Sequence, residues 1–276
     1  MLMSSLADRY AHQILEARAY SKTLTPISTT AILTLADAYD IAKSLDTIRI
    51  AEGEKPIGRK LGLIRDQLRQ HDSTVDTQQT LFWTTLFAST VRTLDEAVAI
   101  QSLTGAIQPR LTPVIAFKLA RAPAANATRE ELADCLDWMA HGLEIIVNPY
   151  TELTFELADA IAAFGMHGTL LIGEQRNLSS ATKHHLGQIM MDASVSLSCD
   201  GTLLGAGYGS NVLGNPINAL WQLHQRLNDQ TQFSSLQEGE IISTGSWSDP
   251  HPIQAGQTWS TAFSGISLAG LSVSFV

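Results

Sequence analysis

Glu144 is the residue whose chemistry most demands an explanation. It interrupts the apolar run Leu143-Glu144-Ile145-Ile146-Val147, and an ionised carboxylate in such a strand needs a cation, a cluster of donors or a shifted pKa. Arg110 carries a planar fork of donors suited to a substrate carboxylate, and suited equally to a scaffold ion pair at a strand start. Thr244 and Ser246 flank Gly245, and their hydroxyls can orient a carboxylate or a keto oxygen; Ser and Thr are also ordinary turn residues. Among the histidines, His167 and His251 could act as general acids or bases if they reach a pocket, or be structural. His184 and His185 are neighbours in a polar stretch, where two rings rarely converge on one metal. Gly205-Ala206-Gly207-Tyr208-Gly209 lacks the flanking strand and helix of a dinucleotide fingerprint.

The elements that must position these groups can be read coarsely. Leu6, Tyr10, Ile14 and Ala17 recur at helical spacing over residues 3–20, and Ala38, Ile41, Leu45 and Ile48 do so over 35–51. Thr128 with Glu131 forms a capping box before Leu132, Cys135, Leu136 and Met139, which predicts a helix leading directly into the strand that holds Glu144. Asn215-Pro216 supplies a cap and an N1 proline before Leu220, Trp221, His224 and Leu227. The last 40 or so residues are rich in Ser, Thr and Gly, and the short runs Ile266–Leu268 and Leu271–Val273 read as strands. The expectation is an α+β protein: a helical region over residues 1–55, then a largely β body over 56–276, integrated as one unit.

Composition narrows the classes of function. The chain has 276 residues, 45% of them hydrophobic, with no apolar run approaching the roughly 20 residues that cross a bilayer. Eighteen Lys and Arg against 27 Asp and Glu give a net charge of −9 with no basic cluster, which argues against nucleic acid as a partner. Cys135 and Cys199 form neither a zinc motif nor a disulfide framework. The N-terminus lacks the basic head and apolar stretch of a signal peptide, so the expectation is a cytoplasmic protein with no membrane partner.

Several segments, in order, resemble one family. Gln108-Pro109-Arg110-Leu111-Thr112-Pro113-Val114-Ile115-Ala116-Phe117 is similar to the signature strand Gln-Pro-Arg-x-Glu-x-Glu-Ile-Ala-Phe of the 2-keto-4-pentenoate hydratase and 4-oxalocrotonate decarboxylase family, relatives of fumarylacetoacetate hydrolase. Ile57-Gly58-Arg59-Lys60-Leu61-Gly62-Leu63 resembles its Gly-x-Lys-x-Gly-Leu segment. Leu143-Glu144-Ile145-Ile146 resembles the segment that supplies a third carboxylate, Gly214-Asn215-Pro216-Ile217-Asn218 the Leu-Gly-x-Pro-x-Asn helix start, and Gly239–Ser246 the Gly-Asp-x-Ile-x-x-Gly segment. The resemblance implies a β-roll of the fumarylacetoacetate hydrolase type and places Lys60 and Glu144 in one pocket, where such a pair can move a proton. It also implies an oligomer, of identical chains or with a homologous one.

The departures from the family pattern are as informative. The family's two strand glutamates, which hold magnesium or manganese, correspond to Thr112 and Val114; valine cannot coordinate a metal, and a lone threonine hydroxyl is a poor substitute for a carboxylate. An aromatic in Phe82-Trp83 replaces a family acid, and Ala162-Ala163-Phe164-Gly165-Met166 replaces an Asp-Asn pair. The expectation is therefore a site without a metal cofactor, with Phe82, Trp83 and Phe164 either lining an apolar pocket or simply filling the core. Three functions stay open. One is a hydratase-like lyase or isomerase acting on a small enolisable 2-oxo acid or enone, with Lys60 and Glu144 catalytic and Arg110, Thr244 and Ser246 holding the substrate. The second is a non-catalytic paralogue associating with an active hydratase or decarboxylase. The third is a binding protein for an apolar small molecule.

Overall fold

Side-chain caps fix where the helices begin. In the computed structural model, which describes residues 5–65, 79–151 and 155–276, Ser5 caps α1 (Leu6–Ala19), Thr34 caps α2 (Leu35–Ala51) and Thr128 caps α3 (Arg129–Asp134). Each forms a reciprocal box with an acid three residues on: Asp8, Asp37 and Glu131. The helix expected from residue 3 is α1, its first expected positions falling outside the described residues. The helix expected over 35–51 is α2. The helix after Thr128 is shorter than expected. It ends at Asp134, and Leu136 and Met139 belong instead to strand β6 (Leu136–Ile146). Because β6 is buried on both faces, its near-continuous apolar run satisfies helical spacing as readily as a strand's.

Strands β1 (Pro56–Arg65), β2 (Gln79–Phe87), β3 (Val91–Thr93), β5 (Arg110–Leu119), β6, β7 (His167–Asn177), β10 (Ile241–Ser246) and β11 (His251–Pro252) form a curled, eight-stranded mixed sheet. Its order is β2-β1-β10-β5-β6-β7-β3, with β11 on β5. A five-stranded sheet runs β4 (Val98–Gln101), β13 (Ser272–Phe275), β12 (Thr258–Ser264), β8 (Ser194–Cys199), β9 (Thr202–Tyr208). Leu271–Val273 thus leads into β13, whereas Ile266–Leu268, expected as a strand, lies between β12 and β13. Three short or amphipathic helices complete the body: α4 (Leu157–Ala162), α5 (Ser180–Asp192) and α6 (Pro216–Asp229), the last capped by Asn215 as its sequence implies. The α+β architecture, with helices first and a curled β body after, is the one expected.

The main sheet divides the core. Leu111, Leu143, Ile145 and Leu171 on one face meet Trp259, Val273 and Phe275 of the smaller sheet. Inside the curl, Leu86, Val114, Ala116, Ala140, Leu170 and Ile172 make a separate apolar cluster. A proline in the middle of β5 needs an explanation, because it removes a ladder donor. Pro113 accepts a hydrogen bond from Trp247 N–H on its β10 side, and its missing N–H would point to that same side. The β10–β5 register shifts there, between Ser243 and Ser246, so the ladder is already interrupted where proline cannot contribute. No helix among the described residues is long and apolar enough to cross a membrane.

Candidate functional site: a buried Lys–Glu–His cluster

Lys60 lies on β1 and Glu144 on β6, with β10 and β5 between them in the sheet order. In a flat sheet three strand spacings would hold the two backbones roughly 14 Å apart. The curl brings the side chains together: Lys60 Nζ stands 3.5 Å from Glu144 Oε1, with the two side chains 4% and 0% exposed. Lys60 also donates a 2.7 Å hydrogen bond to the Gly165 carbonyl and lies 5.3 Å above the Phe82 ring.

His167 completes the cluster. Its Nδ1 is 2.9 Å from Glu144 Oε1 and its Nε2 is 3.1 Å from Thr90 Oγ1. Burial pulls the His167 pKa below its usual value, against the opposing pull of Glu144. A neutral ring facing a carboxylate carries its hydrogen on Nδ1, so Nδ1–H donates to Glu144 and Nε2 is left as an acceptor. Thr90 has one hydroxyl hydrogen and two acceptors in reach, Nε2 and the Phe87 carbonyl at 2.9 Å. For Glu144 itself burial is the largest influence and opposes ionisation. Lys60 and the His167 hydrogen bond outweigh it and hold the carboxyl below its ordinary range. Glu144 Oε2 is buried and has no hydrogen-bond partner among the described residues.

The other candidate residues take different places. Thr112 is paired with Glu144 across the β5–β6 ladder, but its hydroxyl donates to the Ser248 carbonyl. Arg110, two residues along β5, donates to the Pro250 carbonyl. Val114 lies in the apolar cluster inside the curl. Thr244 is fully buried and donates to the Ile115 carbonyl, while Ser246 is a half-buried ladder partner of Val114. Trp83 belongs to the core: its ring packs with Tyr39 and Phe233, and its Nε1–H donates to Gln230. Phe82 packs over Gly62, whose added Cβ would fall 2.0 Å from the ring. Phe164 lies beside the guanidinium groups of Arg18 and Arg49 and borders a cavity of about 550 Å3. His251 stacks near Trp259 on the far side of β5. Neither Thr90 nor the Gly165 carbonyl is foreshadowed as a neighbour of the Lys60–Glu144 cluster, since neither residue type announces a site.

Phe164, Gly165 and Met166 all have positive φ, at 55°, 57° and 60°. For Phe and Met this is the left-handed region that costs on the order of 1–2 kcal/mol per residue. This turn delivers the carbonyl that Lys60 bonds.

Comparison with known proteins agrees with this architecture. The chain is 26% identical over 274 residues to a 2-hydroxyhexa-2,4-dienoate hydratase from Comamonas testosteroni, covering 96% of both chains. It is 26% identical over 238 residues to a 4-oxalocrotonate decarboxylase from a Pseudomonas species, covering 86% of each. The chain is a homologue of these hydratases and decarboxylases. No family model matches it. As a structure, this hydratase and decarboxylase homologue superposes on 4-oxalocrotonate decarboxylase from Pseudomonas putida G7, complexed with magnesium and adipate, with a TM-score of 0.83 at 18% identity, over 100% of this chain and 99% of that one. It also resembles fumarylpyruvate hydrolase from Pseudomonas aeruginosa in complex with Mn2+ and pyruvate, with a TM-score of 0.52 at 14% identity, over 80% and 90% of the two chains. The fold is that of the fumarylacetoacetate hydrolases.

These structures correct the expectation of a site with no metal cofactor. Neighbours of this fold hold magnesium or manganese, and the Pseudomonas putida decarboxylase has also been solved with calcium and acetate. That expectation rested on two strand positions, Thr112 and Val114, whereas the cofactor habit belongs to the wider fold. The described side chains alone do not fit a divalent ion. Glu144 offers one carboxylate with the Lys60 ammonium beside it, and no group of three His, Cys, Asp or Glu residues converges among the described residues.

Proposed function

We propose that this chain is a carbon–oxygen lyase of the hydratase kind, acting on a small enolisable 2-oxo acid or enone. The observation that carries the reading is the buried ion pair of Lys60 with Glu144, held by His167. An ammonium fixed in a dry site stabilises negative charge that develops on an enolate oxygen. For a 2-hydroxy-2,4-dienoate, the enol oxygen loses its proton and the far end of the diene gains one. Water then adds to the resulting enone. Lys60, as the ammonium, would steady the enolate oxygen and give a proton to the far carbon, regaining one from Glu144 once that carboxylate has taken the enol proton. Glu144, whose Oε2 has an uncommitted lone pair, would accept a hydrogen bond from the enol or from the attacking water. Arg110 would hold the substrate carboxylate, with three or more N–H donors beyond the one given to Pro250. Thr244 and Ser246 fit less well as direct contacts, because the Thr244 hydroxyl is buried and committed to Ile115.

The enclosure of the same pair favours a second reading, a non-catalytic relative that associates with an active hydratase or decarboxylase. Lys60, Glu144 and His167 are at most 4% exposed, and Val114 packs among apolar side chains. The experiment that separates the readings is an ultraviolet assay of 2-hydroxypenta-2,4-dienoate with magnesium supplied, run on the chain alone and mixed with an active homologue. Loss of dienoate absorbance by the chain alone supports the lyase. A silent chain that co-elutes with the homologue supports the second reading.

A further inference from the structure

Arg18 stands in an unusual electrostatic position. It lies near the end of α1 and donates to the carbonyls of His167 and Gly168, at 2.8 and 3.3 Å. Among the described residues it makes no ion pair with a carboxylate. The neighbouring cation, Arg49, is paired with Glu54 at 3.1 Å. Arg18 therefore has no carboxylate of its own, Glu54 acting on it only from beyond ion-pair distance, and two of the five N–H donors of a guanidinium are used on carbonyls. It borders the cavity of about 550 Å3 between α1, the segment 101–107 and the β6–β7 edge, and among the described residues it is the only charged one lining it.

The rest of the lining is apolar or neutral polar, with the Gln101 amide beside several hydroxyls. Phe164, Ile107 and Ile145 supply hydrophobic wall, and Ser102, Thr104 and Thr169 supply hydroxyls. This volume lies within the range of roughly 300–1,000 Å3 of small-molecule sites, where apolar walls and a few placed polar groups are the usual composition. Lys60 and Glu144 do not line it. Ile145, next to Glu144, points to the opposite face of β6, and Phe164 begins the turn that bonds Lys60 through Gly165.

We propose that this cavity binds a small organic monocarboxylate with an apolar body, the carboxylate on Arg18 and the body against Phe164 and Ile145. One cation with no acid in the lining selects a single negative charge, and the apolar wall disfavours a compact, fully hydrated anion. The site is separate from the Lys60 cluster, and the inference does not depend on the lyase reading.

The test is calorimetric titration of the full chain with hexanoate and, separately, with hexan-1-ol, which keeps the apolar body and lacks the charge. Hexanoate should bind saturably and hexan-1-ol roughly tenfold or more weakly. Arg18→Gln should weaken hexanoate by a similar factor. Thr104→Trp, at an exposed position on the rim, should fill the cavity and abolish binding while circular dichroism remains that of the parent; it decides the matter if Arg18→Gln fails to fold. Equal affinity for the acid and the alcohol, or hexanoate binding undiminished in Thr104→Trp, would overturn the proposal.

Discussion

Lys60 Nζ is 3.5 Å from Glu144 Oε1, yet its shorter contact, at 2.7 Å, is with the carbonyl of Gly165 in a left-handed turn. One ammonium thus ties a buried acid on β6 to a backbone segment that folds over it. The two partners depend on each other more than an exposed pair would, because neither charge has water to fall back on.

Removing one of the partners should be costly. Lys60→Met leaves Glu144 buried with only His167 beside it, and the expected loss is on the order of 3–5 kcal/mol in urea denaturation. Lys60→Met combined with Glu144→Gln removes both charges and should recover most of that loss. A double variant no more stable than Lys60→Met would show that the pair is not the source of the effect.

His141 should confer a dependence on acid. It is fully buried on β6, its ring lies 2.9 Å from Thr261 Oγ1 on the smaller sheet, and burial lowers its pKa to about 4 from a usual 6.5. The folded state therefore favours the neutral ring. Its contribution is fully present above pH 6.5 and is lost as the pH falls toward 4, by on the order of 3 kcal/mol. Replacing it by Gln should remove this loss, so the stability of the parent relative to the variant should fall as the pH drops from 6.5 toward 4, which equilibrium unfolding at a series of pH values would measure.

Asp46 acts in the opposite direction. It joins α2 to β2 by accepting a hydrogen bond from Thr85, and burial, the dominant influence, lifts its pKa to about 6 from 3.8. A raised acid favours the folded state most below pH 3.8, and that contribution disappears as the pH rises through 6. Asp46→Asn should therefore be more stable than the parent at pH 8 and show little difference at pH 4. A parent and variant of equal stability at pH 8 would contradict this. Because Asp46 and His141 oppose each other between about pH 4 and 6, the parent's own profile should be flatter there than that of either variant.

Two glycines of the Lys60 segment are required for close approach. A Cβ on Gly58 would fall 1.8 Å from the Ile241 carbonyl oxygen of the paired strand β10, and one on Gly62 would fall 2.0 Å from the Phe82 ring. Backbone cannot step aside as a ring can, so Gly58→Ala should be the more destabilising of the two, by more than about 2 kcal/mol. Gly62→Ala should be partly rescued by Phe82→Leu. Thermal melts of the three proteins would check the order.

The legible parts of this fold were those set by local chemistry. Thr128 three residues before Glu131, and Asn215 before Pro216, mark helix starts that the structure reproduces at α3 and α6. Lys60 and Glu144 were paired on the strength of family segments, and the curl of the sheet puts them in contact. What stayed hidden depended on distance along the chain. Thr90 reaches His167 across 77 residues, and Trp83 finds Tyr39 on α2 rather than a pocket; no local pattern encodes either. Leu136 and Met139 were misread because a strand buried on both faces has no alternation to betray it. The metal expectation failed differently, since two substituted positions on β5 say nothing about the habits of the fold as a whole.

The most direct measurement compares the rate of 2-hydroxypenta-2,4-dienoate consumption, with magnesium present, by the parent chain and by the Lys60→Met, Glu144→Gln double variant after its fold is confirmed by circular dichroism. The account predicts saturable turnover by the parent and a loss of at least roughly a hundredfold in the variant, as expected when a charge-stabilising group and its partner are removed together. A folded double variant that works at the parent's rate, or a parent with no turnover, would contradict it.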